Sequence, residues 1–276
     1  TQSCNVVMMN IALLEGQETF TKYQQIFGFG DYTDIDLPAE AQGLVYDAES
    51  MGRTDLATNS FGQNYTCSMI QMAAAYCSIV NGGNYYQPHV VKQILNAEGA
   101  VAENIEPVLV RETVSQSTCN FLKEALFQTV EVGTGSAAGV EGYHIGGKTG
   151  TAEKLPRSAE NYLVSFCGFA PVEDPQLVCY VTVDQPNLPG QAQAHSSFAS
   201  GIFAKIMAEA LPALNLYPEG MDASEYRAPQ TVLPGNEEGD AQTVMGSQES
   251  TEAESEQPTD EDGNPIENPS SAPAAS

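Results

Sequence analysis

The composition of the chain changes near residue 219, and this change most limits which part can fold. Residues 219–276 carry 14 acidic side chains, one basic side chain and few large apolar ones, in stretches such as SQESTEAESEQPTDEDGNP. Such a segment cannot bury enough apolar surface to offset the conformational entropy lost on ordering. We therefore predict a folded domain over residues 1–218 and an acidic, disordered tail over 219–276. An acidic docking role for the tail is the less favoured alternative.

The overall charge excludes one class of partner. The 276 residues include 36 acidic and 10 basic side chains, for a formal net charge of −26. An acidic surface repels the phosphate backbone, so we expect no nucleic-acid partner. The sequence contains no run of about 18 apolar residues, the length that a transmembrane helix needs.

Cysteine and histidine do not form recognisable sites. The six cysteines lie far apart with no CxxC pair, so the spacing typical of zinc sites is absent. Their neighbours are apolar, as in LVSFCGFA, which favours free thiols in the core over a disulfide framework. His89, His144 and His195 are scattered along the chain, and we interpret them as core or surface residues.

Hydrophobic periodicity and turn residues predict the order of elements. Helices are predicted at residues 6–14, 19–26, 66–80, 113–131 and 196–211. Strands are predicted at residues 87–95, within 140–153, and at 162–170 and 177–184. The last three strands are joined by short turns, which is typical of an antiparallel meander. Helices followed by these strands and a closing helix indicate an α+β fold.

Three details of packing are also predicted. Thr66 is expected to cap the helix that begins there, with Gln63 and Gln71 ordering its start. The closing helix is expected to bury one apolar side, formed by Phe198, Ile202, Phe203, Ile206 and Leu211. Four methionines are expected to fill core space: Met8, Met9, Met69 and Met72.

The segment GGKTGTAE, residues 146–153, carries the strongest chemical signal. Gly142, Gly147, Lys148 and Thr149 formally match a phosphate-binding loop, but no apolar strand precedes them and no convincing helix follows. We favour an edge strand at an acyl-transfer site. There Lys148 offers a positive charge, and Thr149 a directional hydroxyl, to a substrate carboxylate. 

The next two residues of this strand fit the same chemistry. Gly150 has no side chain, so a substrate backbone can approach the strand edge. Thr151 can offer its backbone N–H to a developing oxyanion.

These residues, taken with others upstream, resemble a known family. GGKTGTAE and the triplet Ser3-Cys4-Asn5 resemble the Lys-Thr-Gly and Ser-x-Asn motifs of the penicillin-binding protein and serine β-lactamase superfamily. The run FGQNYTCSMIQMA (residues 61–73), followed by NGG and QPHVV, is similar to the transpeptidase domain of class B, high-molecular-mass penicillin-binding proteins. The resemblance covers about residues 1–217 and implies an antiparallel sheet with flanking helices plus a helical lobe.

The resemblance also implies residue roles. Ser3 would relay a proton to the leaving amine, and Asn5 would hydrogen-bond the peptide amide. Lys148, Thr149, Gly150 and Thr151 would bind the substrate carboxylate and the oxyanion. Without the Lys-Thr-Gly motif, Ser3 and Asn5 would be interpreted simply as helix-capping residues. The implied protein is a peptidoglycan D,D-transpeptidase that cross-links stem peptides through an acyl-serine intermediate and binds β-lactams. The resemblance implies no cofactor and no metal.

One family motif is absent. No serine of this sequence has lysine three positions later, so the Ser-x-x-Lys nucleophile of the family is missing. We expect a fold incomplete at its N-terminus and a fragment that is inactive alone. The nucleophile, a membrane anchor and contacts to cell-wall synthesis partners would lie upstream, which implies the extracytoplasmic face of the bacterial membrane. The alternatives are a non-catalytic β-lactam or muropeptide sensor or scaffold, and a hydrolytic β-lactamase.

Overall fold

We analysed the protein as a computed structural model that describes residues 2–221 and 223–226. All of them belong to the unit Thr1–Pro229. The helices are α1 (Asn5–Glu15), α2 (Gln17–Ile26), α3 (Arg53–Asn59), α4 (Met69–Val80), α5 (Gln116–Glu131) and α6 (Ser197–Ala213). The strands are β1 (Asn84–Tyr86), β2 (Gln93–Leu95), β3 (Val101–Asn104), β4 (Leu109–Glu112), β5 (Gly146–Glu153), β6 (Tyr162–Ala170) and β7 (Leu177–Asp184). Short 3₁₀ turns occupy Ser136–Ala138, Arg157–Ala159 and Gly190–Gln193.

The main sheet is the predicted antiparallel meander. Its strands lie in the order β5-β6-β7. Lys148 pairs with Cys167, and Cys167 pairs with Tyr180. The bounds of β6 and β7 are those predicted from the apolar runs on either side of the EDPQ turn. The strand that carries Lys148 therefore lies at one edge of the sheet, and the predicted α+β fold is confirmed.

Helices cover both faces of this sheet. On one face, Phe203 of α6 packs edge-on against Phe166 with ring centroids 4.7 Å apart, and both residues are fully buried. On the opposite face, Tyr76 of α4 packs with Cys167 and Phe169. Burying one large apolar side chain contributes about 1.5–3 kcal/mol, so these two layers hold β5 in place.

The buried side of α6 differs from the prediction. Ile202 and Ile206 are 43% and 42% exposed, although both were expected to face the core. The buried stripe instead consists of Ala199, Ser200, Phe203, Met207 and Leu211. Apolar residues occur nearly all around this helix, so its periodicity does not select one face.

The strand predicted over residues 87–95 is wrong over its first six residues. The structure has β1 before it and β2 at its end, with residues 87–92 outside any strand. The Asp36 carboxylate accepts hydrogen bonds from the backbone N–H groups of Val90 and Val91, at 2.7 and 2.8 Å. These N–H groups are therefore unavailable to a neighbouring strand, and Pro88 has none to give.

Two predicted helix starts are displaced. Ser68, and not Thr66, caps α4: its hydroxyl accepts a hydrogen bond from the Gln71 N–H, and the Gln71 side chain accepts one from the Ser68 N–H. The Thr66 hydroxyl instead accepts from the Leu44 N–H at 3.0 Å. The predicted start at residue 113 moves to 116, because the Ser115 hydroxyl caps α5.

Helix α1 begins at Asn5, yet it buries only Ala12. Five of its large apolar residues are exposed: Val6, Val7, Met8, Ile11 and Leu14, the last with 89% of its surface accessible. Met69 is also exposed. The prediction that Met8 and Met69 fill core space is therefore wrong, whereas Met9 and Met72 are half-buried.

The cysteines are free thiols with varied exposure. All six are unpaired with one another, but only Cys119 and Cys167 are buried. Cys4 and Cys77 are exposed, so the prediction of core thiols holds for part of the set.

The first residues of the predicted tail are described. The Glu219 N–H donates to the Gly142 carbonyl at 2.9 Å, and the rings of Tyr217 and Tyr226 pack 5.7 Å apart. Residue 222 and residues 227–276 of the predicted tail lie outside the described residues. Among the helices that the structure describes, none is long and apolar enough to cross a membrane.

Candidate active site

The structure brings Ser3 and Lys148 into direct contact. The Lys148 ammonium donates a hydrogen bond to the Ser3 hydroxyl at 2.9 Å, although 145 positions separate the two residues. Ser3 lies just before α1, and Lys148 is the third residue of β5. The backbone of Ser3 has a φ of 51°, a left-handed conformation that is uncommon outside glycine and is often found at functional sites.

Helix capping does not account for the Ser-x-Asn triplet. The N-cap of α1 is Cys4, and no side chain caps the first-turn N–H groups. Asn5 is the first residue of the helix and is exposed. Among the described residues, the Asn5 side chain is not a hydrogen-bond partner of Ser3 or Lys148. The hydroxyl of Ser3 is therefore directed to Lys148 and not to the helix.

Lys148 has a dense local environment. Besides Ser3, its ammonium donates to the Thr149 carbonyl at 2.9 Å and lies 3.4 Å from the Thr149 hydroxyl. Partial burial lowers the pKa of Lys148, because desolvation disfavours the charged form. An ammonium with a less tightly held proton can both hold an anion and take part in proton transfer.

Gly150 and Thr151 follow on the same edge strand. A Cβ atom at position 150 would lie 2.4 Å from the Ser165 hydroxyl of β6. A side chain at position 150 would therefore force that hydroxyl to rotate away, and glycine also leaves room for the predicted approach of a ligand. Thr151 is exposed. An extended ligand could pair with this edge by strand addition.

The sequence analysis missed Thr134. Its hydroxyl lies 3.0 Å from the hydroxyl of Thr149, so a residue from the loop after α5 joins the Lys-Thr-Gly segment. The only signal in the sequence is a threonine between two glycines at the end of a predicted helix, which by itself indicates a turn.

The candidate site lies along the edge strand β5, where Lys148 and Thr149 are half-buried. Two cavities of the described part of the chain, of about 320 and 290 Å³, lie elsewhere, and neither is lined by Ser3 or Lys148. The first lies in the helical part around Phe20 and Phe27, and the second beside His144. The contact between Lys148 and Ser3 defines the candidate site, since converging reactive groups are stronger evidence of a site than a concave surface. In the same part of the chain, no three His, Cys, Asp or Glu side chains are placed to hold a metal ion.

The described structure thus combines an antiparallel sheet, covered by helices on both faces, with a lysine on its edge strand that contacts a serine hydroxyl ahead of a helix. The family model described as the penicillin binding protein transpeptidase domain matches residues 1–208. The chain therefore belongs to the penicillin-binding protein transpeptidase family.

Curated relatives come from several bacteria. The chain is 38% identical over 220 residues to stage V sporulation protein D of Bacillus subtilis, covering 78% of this chain and 34% of that protein. It is 31% identical over 211 residues to penicillin-binding protein PbpB of Mycolicibacterium smegmatis, covering 72% and 32%. It is 28% identical over 222 residues to a probable peptidoglycan D,D-transpeptidase, PenA, of Neisseria meningitidis, covering 79% and 36%. The chain thus spans about a third of the length of these relatives.

Solved structures agree with this assignment. The transpeptidase domain of Burkholderia pseudomallei penicillin-binding protein 3 superposes with a TM-score of 0.67 at 27% identity, covering 78% of this chain and 63% of that domain. Penicillin-binding protein 3 of Mycobacterium tuberculosis in complex with ampicillin gives a TM-score of 0.70 at 26% identity, covering 83% and 53%. A complex of the latter protein with aztreonam gives a TM-score of 0.69, covering 79% and 51%.

Proposed function

We propose that this chain supplies the substrate-binding and proton-relay side of a peptidoglycan D,D-transpeptidase site. The observation that carries the proposal is the 2.9 Å hydrogen bond from Lys148 to Ser3. It joins two motifs that lie 145 positions apart in the sequence and that both belong to the family resemblance. The names of the relatives, several of which are peptidoglycan D,D-transpeptidases, support the choice of substrate.

Each residue then has a chemical task. The carboxylate of a stem peptide ending in D-Ala-D-Ala would bind Lys148 and the hydroxyl of Thr149. The N–H of Thr151 would donate to the oxyanion formed when a serine hydroxyl adds to the penultimate carbonyl. Ser3 would pass a proton to the departing D-alanine amine as the C–N bond breaks, with Lys148 lowering the cost of that transfer. Asn5 would hydrogen-bond the peptide amide. The resulting acyl-serine would be released by the amine of a second stem peptide.

The attacking serine would come from another segment. The sequence contains no Ser-x-x-Lys, so we propose that this chain alone is inactive and that the intact protein provides the nucleophile. We also propose an extracytoplasmic location, an anchor in the membrane, and cell-wall synthesis partners reached through the anchoring part. The same site would bind β-lactams, whose strained amide resembles the D-Ala-D-Ala terminus.

The missing motif also favours a second candidate. A domain that keeps the Lys-Thr-Gly subsite without a nucleophile could bind a muropeptide or a β-lactam reversibly, as a sensor or scaffold. A longer gene product in which Ser-x-x-Lys precedes Thr1 would release D-alanine from a stem peptide if the protein is an enzyme. A sensor would bind the same peptide and release none.

Binding to the 276-residue chain tests the subsite directly. We expect a diacetyl-Lys-D-Ala-D-Ala peptide to shift the NMR signals of Lys148–Thr151, and Lys148→Ala to abolish the shifts. Lys154→Ala is the matched control, since Lys154 lies just past the end of the same strand and pairs with Asp184 at 2.7 Å. It should leave binding unchanged.

Covalent labelling tests the claim of inactivity. We expect fluorescent penicillin to leave no covalent label on the purified chain. A label on the wild-type chain that disappears in Ser3→Ala would show that a nucleophile is present after all.

In the peptide-binding experiment, equal loss of binding in Lys148→Ala and Lys154→Ala would argue against the carboxylate subsite.

A further inference from the structure

The hydroxyls of Thr134 and Thr149 form a pair at the candidate site. Their oxygens are 3.0 Å apart, within the usual range for a hydrogen bond between hydroxyls. Thr134 is exposed and Thr149 is half-buried. No motif of the family resemblance includes Thr134, and the roles proposed above do not use it.

The backbone that follows Thr134 is anchored to the core. The next residue, Gly135, donates its N–H to the Thr129 carbonyl at 2.9 Å. A Cβ atom at Gly135 would lie 3.1 Å from that carbonyl oxygen and 3.3 Å from the Phe166 ring, so the turn packs closely on the core. Ala138, three residues further on, is fully buried. Thr134 is therefore fixed at the surface by anchored neighbours.

The hydrogen bonds that the Lys148 ammonium donates show why the hydroxyl of Thr134 matters for that of Thr149. The ammonium has three N–H donors, and its neighbours include the Ser3 hydroxyl, the Thr149 carbonyl and the Thr149 hydroxyl. If Thr149 donates to Thr134, its own proton is not available to a ligand. If Thr134 donates to Thr149, the Thr149 proton is free to point outward. The direction of this one bond decides which hydroxyl serves a bound anion.

We propose that Thr134 is a positioning residue for the Thr149 hydroxyl, and that the carboxylate subsite extends beyond the Lys-Thr-Gly segment to the loop after α5. This inference rests on the proposed function, which places a substrate carboxylate at Lys148 and Thr149. On binding, Thr134 donates to the Thr149 oxygen, and Thr149 donates to the carboxylate. The hydrogen bond that Thr149 accepts from Thr134 strengthens the one that Thr149 donates to the carboxylate, because linked hydrogen bonds polarise one another.

The test compares two peptides on the full 276-residue chain. Diacetyl-Lys-D-Ala-D-Ala carries the carboxylate, and its C-terminal amide does not. We expect Thr134→Val, which keeps the shape and removes the hydroxyl, to weaken binding of the acid about two- to tenfold in NMR titrations, the range for one neutral hydrogen bond. Binding of the amide should not change. Thr134→Ser should restore acid binding, and Thr54→Val, at an exposed threonine of α3, should have no effect.

A double-mutant cycle separates positioning from general damage to the fold. If Thr134 acts through Thr149, then Thr134→Val should cause no further loss of acid binding in a Thr149→Val background. Equal loss of acid and amide binding, additive losses in the double variant, or wild-type acid affinity in Thr134→Val would each overturn the inference. If the wild-type chain binds acid and amide equally well, the carboxylate subsite itself fails, and both proposals fall together.

Discussion

Individual glycines of β5 and α6 have opposite requirements. A Cβ atom at Gly147 would lie 2.3 Å from the Phe166 ring and 2.9 Å from the Cys167 carbonyl. The ring is fully buried, and the carbonyl belongs to the paired strand, so neither can move aside easily. At Gly201, inside α6, a Cβ atom would meet nothing within 4 Å.

We therefore predict opposite effects of the same substitution. Gly147→Ala should destabilise the chain by about 1–3 kcal/mol, the range for overpacking a core. Gly201→Ala should stabilise it by about 0.5–1 kcal/mol, because glycine is a poor helix former. Urea denaturation followed by circular dichroism measures both. A stabilising Gly147→Ala would mean that the contact between β5 and Phe166 is looser than described.

At the scale of elements, a charged pair connects the segment before β5 with the turn after β6. His144 Nδ1 hydrogen-bonds Glu173, and the His144 ring packs 5.2 Å from Phe127 of α5. The hydrogen bond to Glu173 raises the pKa of His144, and the charges of Glu173, Glu219 and Glu131 act in the same direction. Both side chains of the pair are about half exposed, at 47% and 62%, so salt screens their attraction.

The sign of the pH effect follows from linkage. Because folding raises the pKa of His144 above its ordinary value of 6.5, the protonated form stabilises the fold below that pH. The stabilisation is lost as the pH rises through the folded-state pKa. We predict that Glu173→Gln lowers the pKa of His144 in an NMR titration, whereas Glu98→Gln, in the β2–β3 hairpin, leaves it unchanged. An unchanged pKa in Glu173→Gln would show that the pair does not persist in solution.

Elements with strictly local causes were predictable from sequence. Strands β6 and β7 have the predicted bounds because a short turn separates two apolar runs. The strand predicted over residues 87–95 was wrong because Asp36, more than 50 positions earlier, takes the N–H groups of Val90 and Val91. The buried side of α6 was partly wrong because apolar residues surround that helix. Local patterns carry no information about such long-range partners.

The candidate site shows the same division. Ser3 and Lys148 were predicted to share a site from two motifs and a family resemblance, and they are in contact. Thr134 was missed because a threonine between glycines has no distinctive pattern, and only tertiary structure brings it to Thr149. The sequence thus indicated the motif residues, whereas the contact between Thr149 and the loop after α5 is visible only in the three-dimensional structure.

On the scale of the whole molecule, two features have opposite effects on association between copies: an exposed apolar face of one helix and a large negative net charge. Helix α1 exposes five large apolar residues between Val6 and Leu14, which is unusual for the surface of a soluble monomer. The net charge of −26 opposes contact between two copies. Charge repulsion is screened by salt, with a Debye length of about 10 Å at 0.1 M and about 3 Å at 1 M, whereas apolar attraction is not.

We predict that the 276-residue chain associates as salt concentration increases, because screening removes the repulsion and leaves the apolar face of α1 free to pair. Sedimentation velocity at about 0.05 and 0.5 M salt should show the mass increase, since the Debye length falls severalfold over that range. The double variant Ile11→Gln/Leu14→Gln should prevent it without changing the net charge. The control is Ile94→Gln/Leu95→Gln, which removes two exposed residues of the same types from the β2–β3 hairpin and should still associate. If only the hairpin variant stays monomeric, the chain associates through the hairpin and not through α1. If the wild-type mass does not change with salt concentration, the exposed face of α1 is too small to hold two copies together.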